Sequence, residues 1–181
     1  MLRYKQFKKE GVKLKFQLTK QLAETMKVSL EAIDEINRDS FFEWHGHVYT
    51  FNRRKVVIFM NNATRYPIVF YGLKMAQFKT FDLLFQEAIR ETFLLEGINT
   101  EQIDAYLKDC QMIHYTKTDN RSVLGQIKGF WISISYQIED YMNEETYYLP
   151  KLSNWAARIP CCSTRSFPYQ SLKSEMDRRY N

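Results

Sequence analysis

The side chains in this sequence that could do chemistry fall into a few short clusters. His45-Gly46-His47 is the first, because alternate residues of a strand face the same side and two imidazoles placed so could share a metal ion. Two ligands are too few. His114, Cys110, Glu43 or the Cys161-Cys162 pair would have to complete the set, and no paired C-x-x-C spacing is present. A polar strand face explains the same residues more simply. The second cluster is Arg53, Arg54 and Lys55, three cations at one turn that could grip phosphates or a carboxylate, arginine through two oxygens at once. A charged turn kept in water is the plainer alternative. The third is Asn120, Arg121 and Ser122 at the start of a long helix, where unpaired amides favour an anion. Asn120 as an ordinary helix cap accounts for these residues too, and the two readings are compatible. The loop from Asn61 to Arg65 carries the same ambiguity.

Nucleophilic catalysis needs a Cys or Ser beside a base, and the pairs on offer are Cys110 with His114, or Ser122 with His45 or His47. No Gly-rich phosphate loop, H-E-x-x-H helix, G-x-S-x-G elbow or EF-hand loop occurs. The sequence therefore leans away from an enzyme, names no catalytic residue and implies no cofactor.

The elements that must position these clusters read as α+β. Val12, Leu14, Phe16 and Leu18 alternate with Lys13, Lys15 and Gln17, a first strand with one face buried and the other wet. Thr19 caps a short helix through Lys27, and Ser29 starts a second bearing Leu30, Ile33 and Ile36. Residues 41–51 alternate again, with Phe42, Trp44, Val48 and Thr50 opposite Glu43, His45, His47, Tyr49 and Phe51. After the turn Asn52 to Arg54, the run Val56 to Met60 predicts a central strand covered on both faces. Pro67 marks the strand Tyr66 to Tyr71 as an edge or a strand start. Short connections make residues 41–71 an antiparallel β-meander.

Amphipathic helices then pack on this mainly antiparallel sheet. Phe81, Leu84, Phe85, Ala88, Ile89 and Phe93 form one stripe ended by Gly97, and Thr100 caps a helix with Ile103, Tyr106 and Leu107. Gln111 to Thr116 reads as a short strand. The longest helix runs from Asn120 to about Met142, with Gly125, Gly129 and Ser133 at the spacing that admits a close neighbour. Three prolines, Pro150, Pro160 and Pro168, break every later period, so residues 144–181 read as an extended C-terminal strap.

At 181 residues, with 45% apolar and 15% aromatic content, the chain fits one folded domain, residues 1–181. Its net charge of +5 is uneven: residues 1–15 carry +5 and residues 151–181 carry +4, leaving −4 for the body. The basic arm, residues 1–11, could steer a polyanion, although basic termini also serve solubility. No apolar run suggests a membrane span or a signal peptide, and three cysteines, two adjacent, suggest no disulfide framework. Cytoplasmic residence without membrane association is the expectation.

Several stretches carry a family resemblance: Lys15-Phe16-Gln17-Leu18-Thr19-Lys20, Trp44 to Lys55 with its Asn52-Arg53-Arg54-Lys55 turn, Gly72-Leu73-Lys74, Thr118 to Gly125, and a proline-bearing segment from Arg158 to Pro168. Together they resemble a family of bacterial proteins known only as a domain of unknown function. The resemblance implies a bacterial, cytosolic, single-domain protein and brings no activity or residue role with it. The leading expectation is thus a non-catalytic binding module with a protein partner. Nucleic-acid binding through the basic arm and the hairpin turn is the second reading, with Tyr4, Phe7 or Tyr49 for stacking. A metal-assisted hydrolase using His45, His47 and a third ligand, His114 among the candidates, is the third.

Overall fold

The computed structural model describes residues 13–32, 38–110, 112–142, 146–161 and 163–181. The basic arm, Ile33, Ile36, Gln111 and Cys162 lie outside these residues. The fold is α+β. Five strands, β1 (Lys13–Leu18), β2 (Glu43–Phe51), β3 (Arg54–Asn61), β4 (Pro67–Tyr71) and β5 (Met112–Lys117), form one sheet in the order β4-β3-β2-β1-β5.

The meander expected over residues 41–71 is present, with β2, β3 and β4 paired antiparallel. The other half of the sheet is parallel, because β1 pairs β2 and β5 in the same direction. Helix α1 (Lys20–Met26) makes the crossover from β1 to β2, capped by Thr19 and ended by Lys27 in the left-handed conformation. Gly46 on β2 admits this helix: a Cβ there would stand 2.8 Å from both Leu22 Cδ2 and the Phe59 ring. Of the second helix expected from Ser29, residues 29–32 are not helical: Glu31 bridges Thr116, whose neighbour Tyr115 accepts the Glu31 N–H at 2.7 Å, and residues 33–37 lie outside the described residues.

Helices cover both faces of the sheet. On one side, Leu14, Phe16, Trp44, Val57, Phe59 and Phe70 meet α1, α2 (Met75–Lys79), α3 (Phe81–Leu95), α4 (Thr100–Asp109) and α7 (Pro168–Tyr180). Phe16 sits at the centre, with ring centroids 4.8 Å from Phe59 and 4.6 Å from Phe85. On the other side, Val56, Ile58, Met60 and Val69 meet α5 (Arg121–Gln137) and α6 (Pro150–Ala156). β3 is therefore covered on both faces, as its continuous apolar run requires.

Pro67 opens β4, which is an edge strand. Its free edge is closed by the segment leading into α6: Leu149 N–H donates to Val69 O at 2.9 Å, Tyr71 N–H donates to Tyr147 O at 3.0 Å, and Ser153 Oγ accepts from Val69 N–H at 2.9 Å.

The expected C-terminal strap does lie across the domain, but as helices. Pro150 and Pro168 stand in the first turns of α6 and α7, where a missing N–H has no partner to lose, so they start helices instead of preventing them. Arg158 from this region clamps the buried Glu96 carboxylate at the end of α3 through two nitrogens, at 2.8 and 3.0 Å. Three smaller expectations also change. Asn99, not Thr100, caps α4; α5 ends at Gln137 before a 3-10 turn over Ile138–Asp140; and Gly125 and Gly129 have no atom within 4 Å of a would-be Cβ, so no backbone packs on them. No described helix is long and apolar enough to cross a membrane.

Candidate functional site

The β2–β3 hairpin turns through two residues, Asn52 and Arg53, both with positive φ (47° and 62°). That is the twist-matched turn a two-residue hairpin favours, and it suits Asn followed by Gly. Arginine in the second position costs on the order of 1 kcal/mol relative to glycine. The turn projects Arg53, Arg54 and Lys55 at one end of the sheet. Beside it, β4 ends at Tyr71 and is followed by Gly72 (φ 75°), whose N–H donates to Lys55 O at 2.8 Å, and the chain continues through Leu73 to Lys74. Thr146 and Tyr147, held to β4 through the Tyr71 amide, close the far side.

These residues enclose an open cavity of about 460 Å³ lined by Arg53, Arg54, Lys55, Lys74, Tyr71 and Tyr147, with no acidic side chain among its described lining residues. The four cationic side chains are exposed, and none forms an ion pair among the described residues. The Arg54 guanidinium lies over the Tyr71 ring, 5.9 Å from its centroid, and Tyr147 is 37% exposed. At the turn itself, Glu139 accepts from Asn52 Nδ2 at 3.3 Å. Guanidinium forks and ammonium groups converging on such a space are suited to an oxyanion, phosphate above all.

The other expected anion group is built differently. Asn120 caps α5, its Oδ1 accepting from the Ser122 and Val123 amides at 3.0 and 3.2 Å, so two of the helix's free donors are already taken. Arg121 and Ser122 are exposed. Beneath the cap lies a polar ring in which Gln17 and His45 are buried, Asn62 is half-buried and Asp119 reaches the surface. Asn120 N–H donates to His45 Nε2 at 3.3 Å, which puts the imidazole proton on Nδ1, from where it is donated to Asn62 Oδ1 at 2.7 Å. Asn62 Nδ2 donates to Gln17 Oε1 at 2.6 Å, and Gln17 Nε2 donates to Asp119 Oδ1 at 2.6 Å. Arg38 ties the ring to the buried Glu43 with bonds of 3.0 and 2.7 Å and to Asp119 at 2.6 Å, and Lys15 stands 3.5 Å from Glu43.

His45 is fully buried, and burial holds its pKa below the usual histidine value. His47 shares its face of β2, as the spacing requires, but its Nδ1 bonds Thr19 Oγ1 at 2.8 Å, and burial lowers its pKa as well. His114 stands on β5, across β1 from His45 and roughly 10 Å away by strand spacing alone, and pairs with Glu31 at 2.6 Å. The three imidazoles are thus engaged separately, and no group of three or more potential metal ligands forms among the described residues. Cys110 is buried beside Tyr106, with burial pushing its thiol up, away from thiolate character.

Arg53, Arg54 and Lys55 do not meet Asn120, Arg121 and Ser122. The hairpin turn contacts Glu139 just beyond the C-terminal end of α5, whereas the capped ring lies at its N-terminus, a separation of about 25 Å along a helix of this length. Sequence reasoning missed Lys74 and Tyr147 in the cavity, and Gln17, Arg38, Asn62 and Asp119 in the ring. Asn62 lay in a loop already singled out, and Gln17 and Asp119 lay in stretches that carry the family resemblance. Three of those stretches, around Gln17, His45 and Asp119, converge on the ring, while the Asn52 to Lys55 and Gly72 to Lys74 stretches converge on the cavity.

No curated protein and no solved structure matches the chain. One family profile does, a domain of unknown function designated DUF6933, over residues 15–170. That span takes in every strand except the first two residues of β1, together with the polar ring and the cationic cavity, and the chain belongs to this family.

Proposed function

We propose that this chain is a single-domain, non-catalytic binding module whose ligand site is the cationic cavity at the β2–β3 hairpin, and that the ligand is single-stranded nucleic acid. The observation that carries the reading is the convergence of Arg53, Arg54, Lys55 and Lys74 on one cavity with no acidic side chain among its described lining residues. Cations near a protein surface are ordinarily interspersed with acids, so a concave cluster of one sign is a place where an anion gains most. Arg54 and Tyr71 already form a cation–aromatic pair, and the exposed Tyr147 ring offers a face to a base while the cations take the flanking phosphates. The placement of Arg53 in a conformation that favours glycine adds support, since a residue kept at a local cost is kept for its side chain.

The test is fluorescence anisotropy with labelled single-stranded and duplex oligonucleotides of DNA and RNA at low salt. Binding should favour single strands and weaken as salt rises, with a log–log slope of about −0.7 per phosphate contact. The double substitution Arg54→Ala, Lys74→Ala should lower affinity about tenfold or more and flatten that slope, whereas Arg121→Ala, at the other end of α5, should change neither. No binding at low salt, or binding indifferent to the double substitution, overturns the reading.

A further inference from the structure

One face of α5 is exposed along its whole length. Arg121, Gly125, Gly129, Ile132 and Tyr136 recur at spacings of three and four, and Asp140, in the turn that follows, continues the row. All six are exposed. Ile132 is 56% and Tyr136 80% exposed, while Val123, Ile127, Phe130 and Ile134 bury the opposite face against the sheet. Two large apolar side chains in one row on the wet side of a helix call for a partner. A would-be Cβ at Gly125 or Gly129 meets no atom within 4 Å, so the room above both glycines is unused within the described chain, although glycine weakens a helix interior relative to alanine.

The charges of this face run against the helix that carries them. Arg121 is the first residue of α5 and Asp140 lies just beyond its end, so each stands at the pole of the macrodipole that disfavours its sign. Neither forms an ion pair among the described residues. A helix running the opposite way would bring an acid to the first and a cation to the second.

We propose that this face is a homodimer interface, on which a second copy of the chain lays its α5 antiparallel about a two-fold axis level with the Phe130–Trp131 peptide. In that register Ile132 meets the partner's Gly129, Tyr136 meets the partner's Gly125, and Asp140 meets the partner's Arg121. Each large side chain thus enters the room above a glycine and each acid meets a cation, and the two-fold repeats every contact. Lys128 meets the partner's Ser133, so no like charges are opposed. The steps of four residues on either side of the axis satisfy the shape and the charge in one register. The face holds no residue of the cationic cavity, so the inference does not depend on the ligand proposed there. A single pair of helices buries less than the roughly 1,200 Å² at which stable interfaces begin, which sets a weak dimer with a dissociation constant on the order of 10–100 μM.

Sedimentation velocity on the full chain, from about 2 to about 500 μM, should show monomer giving way to dimer. Gly129→Leu places a better helix former in open space on the free chain, so its urea midpoint should hold or rise, while the dissociation constant should increase about tenfold or more. Arg121→Glu agrees with the dipole of its own helix and should likewise leave the midpoint unchanged or higher. It sets an acid against the partner's Asp140, however, and should weaken the dimer about threefold or more. Adding Asp140→Lys to the same chain exchanges the signs of both symmetric contacts, and dimerisation should return to near the parental level. A protein that stays monomeric across the series, or a dimer that Gly129→Leu leaves intact, overturns the interface. A dimer indifferent to Arg121→Glu, or weakened by it and not rescued by Asp140→Lys, overturns the antiparallel register.

Discussion

Two polar clusters stand at opposite ends of α5 and are built on opposite principles. At the N-terminal end, Gln17, His45, Asn62, Asp119 and the Asn120 amide satisfy one another in a ring, and Arg38 and Lys15 answer the buried Glu43. At the C-terminal end, Arg53, Arg54, Lys55 and Lys74 face solvent and a cavity with no described acid in its lining. The first cluster contains more kinds of functional group, including a histidine beside a carboxylate. Those groups already hold each other, and a satisfied buried network rigidifies a fold. Charge left without an internal partner on a concave surface is the better mark of a ligand site.

The largest effect should come from breaking the ring. Asn62→Ala removes the acceptor for the His45 Nδ1 proton and the donor to Gln17 Oε1, stranding two buried polar groups. Each stranded group costs about 1–3 kcal/mol, so urea unfolding should show a loss of roughly 2–4 kcal/mol with oligonucleotide affinity unchanged. Arg54→Ala should do the reverse, with stability within about 0.5 kcal/mol of the parent and affinity reduced. An Asn62→Ala protein of parental stability would mean that the ring is not a structural element.

The ring was also the part of the molecule least legible in the sequence, and the reason is physical. Alternation tells which residues share a face, so the strand from Lys13 to Leu18 and the shared face of His45 and His47 were readable. Alternation does not tell whether the polar face meets water. Lys15 and Gln17, read as wet, are 5% and 1% exposed because β2 and β5 on either side bring Glu43 and Asp119 to them. Those partners lie 28 and 102 residues away along the chain, and no local pattern encodes such contacts. The parallel pairing of β1 with β5 was hidden for the same reason.

The cationic hairpin was legible because its cause is local: an Asn-led turn between two apolar-patterned strands. The cavity was not, since Lys74 and Tyr147 reach it from elsewhere. The last forty residues were misread as extended because proline was taken as a breaker without asking whether it stood at a helix start.

The next contrast is in pH dependence. Burial lowers the pKa of His45 below its ordinary 6.5; Asp119, Arg65 and Glu43 also act on it, and Lys15 and Arg38 pair with those two carboxylates. In the unfolded chain the imidazole binds a proton at a pH where the folded ring still refuses one. Stability is therefore full above about 6.5 and declines as the pH falls toward the folded value, by about 1.4 kcal/mol per unit of difference. His47, also lowered by burial, acts in the same direction. Glu175, held at about 2 by Arg178 and Arg179, loses its contribution only below 4.5, so the two windows separate. Urea midpoints measured from pH 7.5 to 5.5 should fall. His45→Gln should remove most of that fall, and Arg54→Ala none of it. A flat profile in the parent protein would show that the ring accepts a protonated His45.

The smallest effect sharpens the comparison most, because it sets stability against binding at a single residue of the cavity. Arg53 holds φ at 62° in the second position of a two-residue hairpin turn, where glycine adopts that conformation without strain. Arg53→Gly should therefore raise stability by about 1 kcal/mol even though it deletes a side chain, since that side chain has no ion pair to lose among the described residues. The same substitution removes one of the four cations of the cavity and should weaken oligonucleotide binding and reduce the salt slope by about 0.7. No substitution in the polar ring can combine those two signs, because every side chain there is both a structural partner and a satisfied one. If Arg53→Gly gained stability while binding stayed at the parental level, the cavity would lose its claim as the ligand site. A loss of stability would instead mean that Arg53 serves the hairpin itself, as the ring residues serve the sheet.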